Sequence, residues 1–454
     1  MGRRDDRPSV VPYRLETIRA EELALTNPQT SADALAAHGG VFVQKSQMGG
    51  GSPIIRGFEA NRILLVLDGV RLNNAIYREG HLQNAITVDA GMLQQAEVLF
   101  GPGSLMYGSD ALGGVVHFRS KDPKLHYGPD NPQPEINFYT RFASANREKS
   151  FHTDINLPGR RWAALSSITL TDYDDLRAGS RRPAPYPEFG KRLFYADRLT
   201  DRDTVLPNPD PDRQVGTAYA QLDLMQKLRF QPNESLYFIA NLQYSTSTDI
   251  PRYDRLTETL SADPSDLKFA EWYYGPQNRL LASLKARLLQ PTPLYDRATL
   301  IAAYQKIDED RFDRRLHRPW RSAQQEDVHV LSLTADFDRH FRHFGGIDLS
   351  YGLDLAHNRV RSTAGRENLL SGETDDRELT RYPGNGNRMT TLGAYFNLQK
   401  SSRDSLAVFQ AGARWSFVHL FSRFRNDSII LWPPHYFDPG LELNNQNLTW
   451  ASSL

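Results

Sequence analysis

The spacing of apolar residues along the chain changes character once. Between residues 54 and 118, apolar side chains cluster in short runs at 62–67, 96–100 and 115–118, and each run adjoins a glycine turn. Such runs predict β-strands in a compact unit. Beyond about residue 136 the period becomes two. Ile347, Leu349, Tyr351, Leu353 and Leu355 fall on one face, and Asp348, Ser350, Gly352 and Asp354 on the other. Leu236, Phe238, Ala240, Leu242 and Tyr244 oppose Tyr237, Asn241, Gln243 and Ser245 in the same way, and residues 280–288 and 392–398 repeat the pattern. Alternation of this kind fits a soluble sandwich and equally a water-filled barrel in lipid.

Connection lengths separate the two. About twelve strands are legible, near 134–145, 149–157, 162–173, 215–229, 235–247, 278–289, 296–309, 328–341, 347–361, 388–400, 405–421 and 446–453. Tight links at 158–161, 231–234, 291–295, 342–346 and 401–404 alternate with links that are mostly long, up to 174–214. Short turns on one side and long loops on the other are the asymmetry of a transmembrane barrel, and a sandwich has no reason to sort its loops so. The long loop 174–214 carries Arg177, Arg181, Arg182, Arg192 and Arg198 among many aspartates, and reads as a solvated loop.

Ahead of these strands the punctuation is that of a small α+β unit. Residues 1–10 are charged and expected to be disordered. A strand at 10–18 and a helical turn at 19–25 follow. Thr30-Ser31 opens a helix over 32–37 that stops at Gly39-Gly40, since a hydroxyl takes the orphan N–H groups and glycine tolerates positive φ. Strands are expected at 41–44, 54–57 and 63–67, with Asp68-Gly69 as a turn. The glycine-rich stretch 48–52 predicts a mobile loop, and residues 73–90 an exposed apical loop. Residues 91–95 predict a helical turn, Gly101-Pro102-Gly103-Ser104 a tight turn, 104–107 one helical turn, and 108–114 another glycine-rich connection.

Composition narrows the class. Lys+Arg and Asp+Glu are both 54, so no electrostatic case for nucleic acid exists. No apolar run approaches the ~20 residues of a membrane helix, but a barrel needs only every second residue apolar. With 20 Tyr and 22 Phe the chain is rich in residues that suit strands and interfacial girdles. There are no cysteines, and hence no disulfide framework or thiolate site. The twelve histidines show no metal spacing, the 101–114 glycines lack the Gly-Lys-Ser/Thr of a phosphate loop, and Gly-x-Ser-x-Gly is absent. The start MGRRDDRPSV has no apolar h-region, so for an exported barrel the beginning of the gene product is expected to be missing.

The motifs between 41 and 123 resemble the plug domain of TonB-dependent outer-membrane receptors. Ile54-Ile55-Arg56-Gly57-Phe58 is similar to the family's IRG motif, and Leu67-Asp68-Gly69-Val70 to its LDGV motif. Glu97-Val98, Gly101-Pro102, Tyr107-Gly108 and Gly113-Gly114-Val115-Val116 resemble its closing signature. The 107–114 stretch looks more like the iron-siderophore, haem and cobalamin branch than the glycan importers. Phe100 departs from the pattern, standing where the family often has an arginine.

The resemblance implies a plug inside a barrel of about twenty-two strands, of which about twelve are present, so the chain is expected to be truncated at both ends. A plug of ~110 residues has a diameter of ~34 Å, too wide for twelve strands. The implied domains are a disordered 1–10, a plug at 11–127 and a partial barrel at 128–454. The implied function is uptake of a scarce bulky ligand, a ferric siderophore or haem, across the bacterial outer membrane. A glycan or cobalamin importer, or a signalling or binding-only receptor fragment, is the alternative. The implied partners are outer-membrane lipid, the ligand and the TonB energy-coupling complex of the inner membrane, although no TonB box is legible before Val10. No enzyme activity, cofactor or resident metal is expected.

Candidate site residues follow. Tyr77, Arg78 and His81 fall on the apical loop and would line a ligand floor, with His81 either a haem ligand or a solvated loop histidine. Arg56 is either a surface residue or a buried partner of barrel acids, and Glu97 joins it as a plug–barrel contact. Gly57, Asp68, Gly69, Gly101, Pro102, Tyr107, Gly108, Gly113 and Gly114 are read as turn positions of the plug motifs.

Overall fold

The computed structural model describes residues 14–37, 39–77, 85–101, 103–342, 346–402, 407–424 and 442–453. The N-terminal unit contains β1 (Arg14–Arg19), α1 (Ala20–Thr26), α2 (Ser31–Ala36), β2 (Val41–Gln44), β3 (Ser52–Ile55), β4 (Ile63–Leu67), β5 (Val70–Arg71), β6 (Leu93–Phe100), α3 (Ser104–Tyr107) and β7 (Gly114–Ser120). Five of the strands form a mixed sheet in the order β1-β6-β7-β4-β5, with β4 parallel to β7. Every residue of β4 is buried, which explains its unbroken apolar run. Ile63, Leu65 and Leu67 join the larger core, while Leu64 and Val66 pack with Leu99, Tyr107, Ala111 and Val115 on the other face.

Turn chemistry fixes these elements. Asp68 and Gly69 join β4 to β5 with φ of 52° and 91°, the pair of positive values that a two-residue hairpin needs. Thr30 caps α2 by accepting a hydrogen bond from the Asp33 amide. Asn73 continues the edge of β4, accepting from the Leu65 amide and donating to the Ile63 carbonyl, both at 3.0 Å.

Three local expectations are corrected. The glycines at 49–51 are enclosed rather than loose: a Cβ on Gly51 would lie 2.3 Å from that of Ala32, and one on Gly49 would lie 2.9 Å from Ile250. Residues 93–95 are strand, not helical turn, because Leu93–Phe100 pairs with both β1 and β7. The described parts of 73–90 are mostly buried, not exposed, since Ile76, Ala85, Ile86 and Val88 pack in cores.

After β7, residues 121–134 form no strand or helix, and the wall begins. Its twelve main strands are β8 (Glu135–Ala143), β9 (Glu148–Pro158), β10 (Trp162–Tyr173), β11 (Tyr219–Asn233), β12 (Leu236–Ser247), β13 (Asn278–Leu288), β14 (Arg297–Arg315), β15 (Trp320–Phe341), β16 (Ile347–Asn368), β17 (Asn387–Ser401), β18 (Val408–Arg423) and β19 (Glu442–Ser453). They pair antiparallel in strict chain order as an open sheet from β8 to β19, and three short loop strands bring the sheet to fifteen. All twelve strands legible in the sequence are present, and the connections are sorted to two sides as expected. The loop 174–214 is not bare: it holds the hairpin Phe194–Leu199/Arg202–Pro207, clamped where the Arg314 guanidinium takes Asp203 at 2.7 Å and Glu271 at 2.7 Å.

The wall is inverted relative to a soluble sheet. Leu228, Leu242, Leu284, Leu300, Leu331, Leu333 and Leu353 are exposed, while Lys227, Asn241, Gln243 and Asn358 are buried against the N-terminal unit and Ser245 and Glu326 are buried among other wall residues. Near the short turns the outer face carries stacked aromatics, Trp162 on Phe230 at 4.1 Å and Phe337 on Tyr351 at 5.0 Å. The inner face completes the core of the unit it surrounds, through Leu165, Tyr173, Tyr219, Met225, Leu281 and Ile301.

Candidate functional site

Two features meet where the plug touches the inner wall. The first is a buried ionic latch. The hairpin at Asp68-Gly69 pushes the Asp68 carboxylate into the wall, where Lys227 Nζ stands 3.1 Å away and is itself 1% exposed. Lys227 also pairs with Asp122 at 2.7 Å. The Ser120 amide and hydroxyl and the Asn241 side-chain amide donate to the same carboxylate. Burial pushes the Asp68 carboxyl up, but Lys227, Lys285 and the Ser120 hydrogen bonds outweigh it and hold the group below its ordinary 3.8. A depressed carboxylate contributes its full stability above the unfolded value and loses it as pH falls through the folded value. The Asp68 contact is therefore expected to keep its contribution between about pH 7 and 5 and to lose it only in stronger acid. Limited proteolysis of the native chain and Asp68→Asn across a pH series checks this, and a difference between them that fades near pH ~6 would contradict it.

Other polar contacts repeat the theme with single hydrogen bonds to plug backbone. Tyr382 donates to the Ile76 carbonyl at 2.7 Å, Gln221 to the Ile86 carbonyl at 2.8 Å, and the Asn358 side chain accepts from the Ala75 amide at 3.1 Å. Arg414 of β18 reaches the Met106 carbonyl at the end of α3 and pairs with Asp354 at 2.9 Å. Gly393 makes room for it, since a Cβ there would sit 1.9 Å from the guanidinium. A third cluster joins plug Asp89 to Thr169 at 2.6 Å, Thr169 to His152 at 2.7 Å, and plug Lys121 to Asp154 at 2.7 Å.

The second feature lies above the plug apex. Tyr77 is hydrogen bonded to Glu309 of β14, and burial together with that carboxylate raises its hydroxyl well above the ordinary value. Two residues further along the same face of β14 comes Arg311. Its guanidinium lies 5.3 Å from the Trp272 ring and 5.7 Å from Tyr274, and Arg252 lies over Trp272 at 4.6 Å. The Arg311 Nε is buried without a hydrogen-bond partner among the described residues. Arg381, paired with buried Glu326 at 3.4 Å, is within electrostatic reach. Arg252 and Arg311 thus lie against the same Trp272 ring, with Arg252 also paired to Asp254 at 2.8 Å.

The residues singled out in the sequence fall unevenly. Arg78, His81 and Pro102 lie outside the described residues. Arg56 is exposed at the tip of the turn between Ile55 and Phe58, with φ of 52°, so the buried ion pair considered for it is corrected: the turn aims the side chain outward. Glu97 is likewise corrected as a wall contact. It is buried in the plug sheet, bonded to Gln95 at 2.7 Å and facing Arg119 at 3.4 Å and His117 at 3.8 Å, all on its own sheet. Phe100 packs on Gly40 beneath the Arg14 guanidinium. Gly108 has a φ of 88°, beside Arg414, and Gly101 a φ of 134°. Gly113 and Gly114 adjoin Phe58 and the Leu99 carbonyl, where a side chain would clash, and Gly57 has a φ of 82°. Lys227, Arg311, Trp272 and Arg414 were not foreseen; a charge at an inward position of an alternating strand was the available signal.

Comparison with known proteins agrees with this architecture. The profile of the TonB-dependent Receptor Plug Domain matches residues 7–115. The Vitamin B12 transporter BtuB of Vibrio vulnificus is 36% identical over 140 residues, which is 28% of this chain and 22% of that protein. The Hemin receptor of Yersinia pestis is 35% identical over 182 residues, 39% of this chain and 26% of that protein. Among solved structures, the Copper transporter OprC superposes with a TM-score of 0.70 at 12% identity, covering 96% of this chain and 59% of its own. The chain thus spans about three fifths of that structure's length.

Proposed function

The chain belongs to the TonB-dependent receptors, and on that premise we propose that it serves as the ligand-binding and plug-bearing part of an outer-membrane uptake system for an anionic iron chelate, a ferric siderophore or haem. The carrying observation is the Arg252, Arg311, Trp272 and Tyr274 cluster above the plug apex. Guanidinium groups held on aromatic faces, one with an unused buried N–H, suit a planar or polyoxygen anion. Ligand enters from the long-loop side and rests on that cluster and on the apex near Tyr77. Arg78 and His81 extend the floor. The inner-membrane TonB complex then draws on the plug at 11–127, and the wall at 128–454 stays in the membrane. The bonds to be broken are the hydrogen bonds and the ion pairs between plug and wall, Asp68–Lys227 and Lys121–Asp154 among them, which re-form without chemistry. No bond in the ligand is broken, so no enzyme activity is proposed. Import of cobalamin is the second reading, favoured by the 36% identity to a vitamin B12 transporter.

Titration of tryptophan fluorescence with haem, ferric catecholate, ferric hydroxamate and cobalamin tests this. An anionic chelate or haem is expected to bind, and Arg311→Ala to weaken it about tenfold through loss of a charge-assisted contact. Binding of cobalamin alone, unchanged by Arg311→Ala, would favour the second reading. His81→Ala with haem isolates that residue.

A further inference from the structure

On the outer face of the wall one cross-strand row breaks the apolar pattern. Lys306 of β14 stands opposite His329 of β15, His329 opposite Arg359 of β16, and Arg359 opposite Arg388 of β17. Directly opposed residues share a face, so four basic side chains form a line across neighbouring strands. At ~4.8 Å per strand the line is ~14 Å long. The row below it is Leu331, His357 and Thr390, and the next is Leu333, Leu355 and Leu392. The basic line therefore lies ~7 Å along the strands above Leu331, where the apolar belt ends.

Like charges set directly opposite destabilise a sheet. Lys306 is offset by Asp308 at 3.2 Å, and His329 by Asp327 at 2.7 Å. Arg359 and Arg388 are exposed and make no ion pair among the described residues, and the same holds for Arg361 one row higher. A groove of about 620 Å³ opens beside the row, where Arg359 and Arg361 stand among Asp308, Asp310, Glu326 and Asp327, and Arg388 lies outside it. Two opposed arginines that pair with no carboxylate among the described residues are complementary to an external anion.

We propose that this row binds the phosphate-bearing, net-anionic headgroup of a membrane lipid, whose acyl chains lie on the leucines below. Arg359 and Arg388 place two planar forks on one tetrahedral oxyanion, and the apolar rows beneath supply the rest of the contact. This rests on the wall being membrane-spanning. Free phosphate offers the same oxyanion but no use for the leucines.

The test uses the chain incorporated into phosphatidylcholine vesicles containing phosphatidic acid, with retained lipid counted by mass spectrometry after detergent extraction. The native chain is expected to retain phosphatidic acid about tenfold over its share in the vesicle. Arg359→Gln/Arg388→Gln should lose that preference, and Arg359→Lys/Arg388→Lys should keep part of it. Inorganic phosphate at lipid-equivalent concentration should not displace it. Equal enrichment by native chain and Gln variant overturns the headgroup site, and displacement by phosphate alone overturns the lipid as its source. A chain that fails to float with vesicles overturns the membrane reading and the site together, whereas one that floats with no enrichment overturns the site alone.

Discussion

Replacing Lys227 with methionine is expected to destabilise the seated plug by about 3–5 kcal/mol, because it leaves a carboxylate buried without its cation. Asp68 is 9% exposed, and the neutral donors that remain to it, Ser120, Asn241 and Gln243, do not replace a charge. The methionine fills the volume of the lysine stem, so the loss reports charge rather than packing. Asp68→Asn should cost less, because Lys227 keeps Asp122 at 2.7 Å. Guanidinium titration in detergent micelles, read by protection of the plug against trypsin, separates the two variants. Equal loss from both would mean that packing rather than the ion pair holds this corner.

Arg414→Met is expected to act at a second plug–wall contact with a similar cost, about 3–5 kcal/mol, since Asp354 is buried and takes this guanidinium at 2.9 Å. The same substitution removes the donor to the Met106 carbonyl, one of the C-terminal carbonyls of α3 that its own helix leaves unpaired. The loss should be local as well as global. Amide exchange at residues 104–108 should accelerate more than exchange in β4, whose five buried residues lie in the plug core. Gly393→Ala should reproduce much of the effect by displacing the guanidinium, as its Cβ would come within 1.9 Å of it.

How much was legible depended on whether a feature is local. The wall strands were readable because alternation is a property of consecutive residues, and Ile347–Leu355 shows its two faces without any partner. The Asp68-Gly69 hairpin was readable for the same reason. The direction in which a turn aims its side chains was not. Arg56 and Asp68 both sit in positive-φ turns, yet one turn meets solvent and the other meets Lys227, 159 residues away in the chain. Sequence spacing carries no trace of that pairing. Residues 91–95 read as helical because Met92, Leu93 and Gln94 favour helix locally, and pairing to two flanking strands overrode that preference. The cationic–aromatic cluster was hidden for a further reason. Arg252, Trp272 and Arg311 come from three separate segments, and only the short strands Ile250–Pro251 and Phe269–Tyr274 added to the rim bring them together.

The plug is held in its wall by reversible polar contacts, of which the Asp68–Lys227 pair is, among the described residues, the lysine–carboxylate pair buried on both sides. A double-mutant cycle on Asp68→Asn and Lys227→Met, read by plug protection against trypsin in the full chain, tests it most directly. A coupling energy of at least about 1.5 kcal/mol is expected, with the double variant more stable than additivity allows. Strictly additive losses, with coupling near zero, would contradict it.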